Sequence, residues 1–133
     1  MPTLVDANVL LDTLTRDPSW FDWSSQKLIE LGDADELVIN PIVFAEISVH
    51  YSRIEDVDQA LPPILRRDAI PYEASFLASK AFRDYRGRGG AKRSPLPDFF
   101  IGAHALVADF RLLTRDPVRF RTYFPALRIV APT

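Results

Sequence analysis

Residues 3–12 read TLVDANVLLD, and the fold turns on how that stretch is parsed. Thr3-Leu4-Val5 has the length and character of a buried strand, and apolar residues resume at Val9-Leu10-Leu11. Between them stand Asp6 and Asn8, an acid and an amide where burial makes charge costly. Two readings are open on these ten residues alone. Either Asp6 or Asn8 caps a helix that starts near Val9, or the carboxylate ends a strand because some chemistry needs it there.

Working outward, further short apolar runs occur at Leu37–Ile39, Leu112–Thr114 and Leu127–Val130, with a weaker strand signal near Ala69-Ile70. Longer helical patterns alternate with them, at about 8–14, 18–32, 41–52, 55–67, 72–87 and 98–109. Strand and helix in alternation predict an α/β fold with a parallel sheet of four or five strands flanked by helices. Pro62-Pro63 is expected to break or kink the 55–67 segment, and Gly87-Arg88-Gly89-Gly90 to separate the last two helices. Neither repeats nor a proline-rich linker interrupts the chain, so residues 1–133 are expected to form one domain.

Composition narrows the function classes. The 133 residues are 47% hydrophobic, enough for one sizeable core. None of the apolar runs approaches the roughly 18 residues of a membrane span, and the N-terminal residues lack a secretory pattern, so a cytoplasmic protein is expected. The absence of cysteine excludes disulfides, thiolate metal sites and cysteine nucleophiles. A net charge of −2 gives no global basic surplus, yet Arg83, Arg86, Arg88, Lys92 and Arg93 gather five cations within eleven residues.

Three further acids are as oddly placed as Asp6. Glu46 stands alone in the apolar stretch 41–49, a little over one helical turn after Pro41. Asp98 opens a segment that is apolar on nearly every face. Asp116 directly follows the run ending at Thr114-Arg115, although with Pro117 behind it Asp116 also reads as a helix cap. In a parallel sheet the C-terminal ends of the strands open on one edge, the usual place for a site, and all four acids can reach that edge. Four carboxylates in one place repel, by about 4 kcal/mol per close pair at an effective dielectric of 20, and so demand protons or cations. An all-oxygen donor set suits Mg²⁺ or Mn²⁺. His104 lies on another face of its helix from Asp98, and His50, four residues after Glu46, shares the face of that acid; structural roles are expected for both.

The segments Asp6-Ala-Asn-Val-Leu-Leu11, Glu46 in the helix after the second strand, Pro97-Asp98-Phe-Phe-Ile-Gly-Ala-His-Ala105, and Leu113-Thr-Arg-Asp116 followed by Phe120 and Leu127-Arg-Ile-Val-Ala-Pro132 together resemble the PIN domain. More narrowly they resemble VapC-type toxins of bacterial and archaeal toxin–antitoxin pairs. Gly102 and His104 depart from the alanine-rich pattern expected after the aspartate. The resemblance implies a three-layer fold, with Asp6, Glu46 and Asp98 as core metal-binding acids and Asp116 as a fourth, all catalytic, supported by Asn8 and Thr114. It further implies Mg²⁺- or Mn²⁺-dependent hydrolysis of RNA, a homodimer, and an antitoxin that silences the enzyme. The helices at 41–52 and 55–67, with Phe44, Tyr51, Ile54, Ile64 and Leu65, are the expected antitoxin groove. On that reading the Arg83–Arg93 cations, which end just before Asp98, are expected to contact RNA phosphates.

Two other classes compete. A haloacid-dehalogenase-like phosphatase also begins with a strand and an aspartate, but requires a second aspartate where this chain has Asn8. A PIN-like scaffold that binds RNA or protein without cutting tends to lose acids, whereas this chain keeps all four.

Overall fold

The computed structural model describes residues 1–90 and 96–133. Its centre is a five-stranded sheet in the order β3-β2-β1-β4-β5, with every neighbouring pair parallel. The strands are β1 Thr3–Val5, β2 Leu37–Ile39, β3 Arg66–Arg67, β4 Arg111–Leu113 and β5 Ile129–Val130. The α/β architecture anticipated from the alternating pattern is therefore present, with β1 at the middle.

Helices connect the strands: α1 Ala7–Leu14 and α2 Phe21–Ala34 between β1 and β2; α3 Pro41–Ser48 and α4 Ile54–Ala60 before β3; α5 Tyr72–Gly87 and α6 Leu96–Val107 before β4; α7 Val118–Tyr123 before β5. Parallel strands need such crossovers, and sheets covered on both faces bury their strands completely. Leu4, Val5, Val38, Ile39, Leu112 and Leu113 are accordingly buried.

Three elements depart from the sequence expectation. The third strand is Arg66–Arg67 rather than Ala69-Ile70, because pairing with Val38 and Ile39 sets its register. An edge strand two residues long carries no hydrophobic alternation to read. Arg66 is instead held by Asp68 and Glu36, at 2.8 and 3.0 Å, with its guanidinium 5.3 Å from the centre of the Phe110 ring. The helix expected over 41–52 ends at Ser48, whose hydroxyl bonds back to the Phe44 carbonyl. His50 therefore lies beyond the helix and is exposed, so the face it was expected to share with Glu46 does not exist. The helix expected over 55–67 ends at Ala60, ahead of Pro62-Pro63, which cannot continue it.

That break divides the expected antitoxin groove. Phe44 and Ile54 line one groove beside Arg67, whereas Ile64 and Leu65, past the helix end, line another against Leu28 and Ile29 of α2.

α6 packs tightly. A Cβ on Gly102 would stand 2.6 Å from the Phe124 ring and 3.1 Å from Phe120, so only glycine allows α6 to approach these aromatics. Phe99 sits among Tyr85, Tyr123 and Phe124, with edge-on ring separations of 5.0–6.3 Å. His104 is buried, its Nδ1 3.1 Å from the Asn40 amide, and burial lowers its pKa. It is a core histidine, and the departures at 102 and 104 are matched by their surroundings.

Candidate active site

The strand order reverses direction at β1: the chain moves to β2 and β3 on one side, then returns to β4 and β5 on the other. Such a switch point leaves a crevice beyond the C-terminal strand ends. Asp6 follows β1 directly and Thr114 follows β4 directly. The sheet pairing continues to that edge, with the Asp6 N–H donating to the Leu113 carbonyl at 2.9 Å.

Asp6 occupies the N-cap position of α1, as one of the opening readings required, but its carboxylate makes no capping hydrogen bond. It accepts instead from the Thr114 hydroxyl at 2.8 Å. The same hydroxyl oxygen accepts from the Asp116 N–H at 3.1 Å. Asn8 ties the two loops together: its amide nitrogen reaches Thr114 Oγ1 at 3.5 Å and Asp116 Oδ2 at 3.3 Å, while its Oδ1 accepts from the Arg115 N–H at 3.3 Å. Asp116 does not cap a helix either, since Pro117 takes the N-cap position of α7.

A pocket opens over this junction, lined by Asp6, Ala7, Asn8, Leu11, Glu46, Asp98, Asp116 and Phe120. All four sequence-predicted acids face it. Glu46 comes from α3, whose start is fixed by Asn40 accepting from the Val43 N–H at 2.9 Å with Pro41 behind it. Asp98 comes from the first turn of α6.

The electrostatics follow from burial and crowding. Asp6 is 5% exposed, and its pKa is raised to about 6, chiefly by burial, with the Thr114 hydrogen bond opposing and the charge of Asp98 adding. Glu46 is raised to about 7 by burial first, then by the charges of Asp6 and Asp98. Its Oε1 is buried without a hydrogen-bond partner. Two carboxylates whose ionisation is disfavoured by burial and by the charge of neighbouring acids, one with an orphaned oxygen, form a set that gains by taking up a cation.

Among the described residues, no three acids or histidines stand close enough to enclose a metal ion directly. Asp98 is turned toward α7, where Arg119 Nη1 donates to its Oδ2 at 2.7 Å. The donor set nonetheless fits a hard divalent ion, being all oxygen, acidic, and left with an unpartnered buried atom at Glu46.

Sequence reasoning missed two parts of this region. Arg119 has no signal of its own, because α7 is only six residues long. The second is the brace behind the site: Arg115 grips Asp12 through two bonds of 2.9 and 3.0 Å, Ser24 donates to Asp12 at 2.7 Å, and the Arg115 guanidinium lies 5.3 Å from the centre of the Trp20 ring. Asp12, the last residue of the opening stretch, is 2% exposed and directly follows the apolar run Val9-Leu10-Leu11, which is the trace the sequence offered.

Of the expected RNA-contacting cations, Arg83, Arg86 and Arg88 are exposed at the end of α5. Arg86 lies 5.9 Å from the centre of the Phe82 ring. Arg88 pairs with Asp84 at 3.2 Å and lies 5.3 Å from the centre of the Tyr123 ring. Lys92 and Arg93 fall outside the described residues.

A family model for the PIN domain matches residues 3–124. Among solved structures, VapBC2 from Rickettsia felis bound to a promoter DNA fragment is similar at a TM-score of 0.76 and 18% identity, covering 98% of each chain. VapBC-1 from nontypeable Haemophilus influenzae is similar at 0.73 and 18%, and a toxin–antitoxin complex from Klebsiella pneumoniae at 0.69 and 21%, each again covering 98% of both chains. No curated protein matches the sequence. At these identities the structural likeness speaks for the fold. Among the described residues, no helix is long and apolar enough to cross a membrane.

Proposed function

The chain belongs to the PIN domain family, and from that premise we propose that it is a Mg²⁺- or Mn²⁺-dependent endoribonuclease, the toxin of a toxin–antitoxin pair. The observation that carries this reading is the pocket in which Asp6, Glu46, Asp98 and Asp116 meet, with two of them shifted up to about 6 and 7. A scaffold has no use for four acids whose mutual repulsion lowers its own stability. A metal-dependent phosphodiesterase does.

In this mechanism Asp6, Glu46 and Asp98 would hold the metal, with Asp116 as the fourth acid. When bound there, a divalent ion would supply water activation and charge neutralisation for phosphodiester hydrolysis. The remaining work belongs to the chain. Thr114 fixes the orientation of Asp6 through its 2.8 Å hydrogen bond, and Asn8 holds the loop bearing Asp116 against the loop bearing Asp6. Glu46, titrating near neutrality, presents Oε1 as an oxygen ready for a proton or a cation. Leu11 and Phe120 form part of the apolar wall of the pocket.

The toxin assignment is supported by the resemblance of the motifs and by similarity to a solved toxin–antitoxin complex from Klebsiella pneumoniae. An antitoxin chain and self-association into a homodimer would cover exposed apolar side chains such as Val49, Ile54 and Ile64. Co-expression with the neighbouring reading frame is expected to give a stable complex. Freely tolerated expression of a monomer would count against the toxin role.

The enzymatic claim is tested by incubating purified protein with total RNA in Mg²⁺, Mn²⁺ or EDTA. Discrete fragments with either metal and none in EDTA are expected. Binding without fragments under all conditions would favour the non-cutting scaffold.

A further inference from the structure

We propose that Arg119 is a transferable cation: it holds Asp98 in the free protein and passes to a substrate phosphate when Asp98 turns to a divalent ion. The inference rests on the ribonuclease reading above and adds a residue and a substrate path to it.

Three observations carry it. The Arg119–Asp98 pair is short, 2.7 Å, yet its side chains are 43% and 28% exposed. An ion pair this open to water contributes little net energy and exchanges partners readily. Second, the pair decides which way Asp98 faces. With Oδ2 given to Arg119, Asp98 stands apart from a closed cluster, and among the described residues no three acids enclose a cation. Third, a cleft adjoins the acid pocket and shares Asp98 and Asp116 with it; Arg119, Thr122 and Tyr123 form its wall. The Arg88 guanidinium lies 5.3 Å from the centre of the Tyr123 ring. Arg119 and Tyr123 thus share a cleft that borders the acids, and Tyr123 carries a second cation on its ring.

A strand of RNA approaching four carboxylates is repelled unless cations line its way, and the protein as a whole carries a net charge of −2. The planar guanidinium fork matches two phosphate oxygens, which a lysine ammonium does not. Arg119 lies three residues beyond Asp116, so a guanidinium released from Asp98 remains at the mouth of the acid pocket, where the phosphate beside the scissile bond passes. The exchange leaves neither group without a partner of opposite charge. Asp98 replaces one cation by another, and Arg119 replaces one anion by another.

This arrangement gives opposite signs in two measurements. Without RNA, Mn²⁺ competes with Arg119 for Asp98, so Arg119→Ala is expected to bind Mn²⁺ several-fold more tightly than wild type, followed calorimetrically or by the electron-paramagnetic signal of free Mn²⁺. In a Glu46→Gln background, at Mn²⁺ concentrations shown calorimetrically to saturate that variant, Arg119→Ala is expected to bind a single-stranded RNA oligonucleotide about tenfold more weakly. The log–log salt slope should fall by about 0.7, the value of one lost phosphate contact on a single strand. Arg119→Lys should recover the slope and only part of the affinity. Unchanged or weaker Mn²⁺ binding by Arg119→Ala would make Arg119 a fixed clamp on Asp98 and overturn the proposal. Unchanged RNA affinity and slope would overturn it equally. If wild-type protein cleaves RNA while either result is found, this inference fails alone. If wild type neither binds nor cleaves RNA, the ribonuclease reading fails and takes the substrate half with it.

Discussion

Burial sets the state of the carboxylates before any ligand arrives. Asp6 and Glu46 both hold their protons more tightly than free acids do, being raised to about 6 and about 7. A folded-state pKa above the unfolded value contributes stability that is present at low pH and is lost as pH rises through the folded pKa. Metal-free protein is therefore expected to be most stable near pH 5 and to lose stability between pH 5 and 8, by about 1.4 kcal/mol for each unit of upward shift. Thermal melts across that range in EDTA check this, and Glu46→Gln should flatten the decline. At pH 7.5, Asp6→Asn removes a buried charge and is expected to raise the metal-free Tm by roughly 3–10 °C while abolishing cleavage. A lower Tm would show that Asp6 serves mainly to hold the helix start. Gly102 acts through shape. Gly102→Ala forces a methyl to within 2.6 Å of Phe124, and a loss of about 1–3 kcal/mol in urea denaturation is expected. The acids were legible because charge in apolar surroundings is conspicuous in a sequence. Arg119 and Arg115 were not, since arginines on loops and short helices are common and only three-dimensional contact gives them meaning.

At the scale of elements, the sequence was most legible where hydrophobic runs were long or uniform. β1 and β2 lie where the apolar runs placed them, and α5 spans the expected 72–87. The edges were harder. β3 is two arginines whose strand character comes from pairing with β2, and α7 buries only Phe120, too little for a periodic pattern. α3 stops short because local bonds at Ser48 end it, a competition between side chain and backbone that periodicity does not record. The loop between β4 and α7 is the element on which the site depends most, as it carries Thr114, Asp116 and the approach to Arg119. Its brace to α1 is the Arg115–Asp12 pair, with Asp12 buried. Arg115→Ala would strand that carboxylate with only Ser24, and a cost on the order of 2–3 kcal/mol is expected in chemical denaturation, together with reduced cleavage from a loosened loop.

Across the whole molecule, the topology concentrates acid at one sheet edge and places cations beside it. The strand switch at β1 makes the crevice; α3 and α6 bring Glu46 and Asp98 over it; the end of α5 places Arg88 on the Tyr123 ring, and α7 places Arg119 on Asp98. A pocket that keeps protons in the absence of metal must release them when a divalent ion enters, because ligating carboxylates are ionised. Calorimetric titration of the metal-free protein with Mn²⁺ at pH 6.5, repeated in buffers of different ionisation enthalpy, counts those protons. Glu46, at about 7, is mostly protonated there, so release of about one proton per site is expected, falling by more than half in Glu46→Gln. Saturable Mn²⁺ binding with no proton release, or a release unaltered by Glu46→Gln, would contradict the assignment of this pocket as the metal centre.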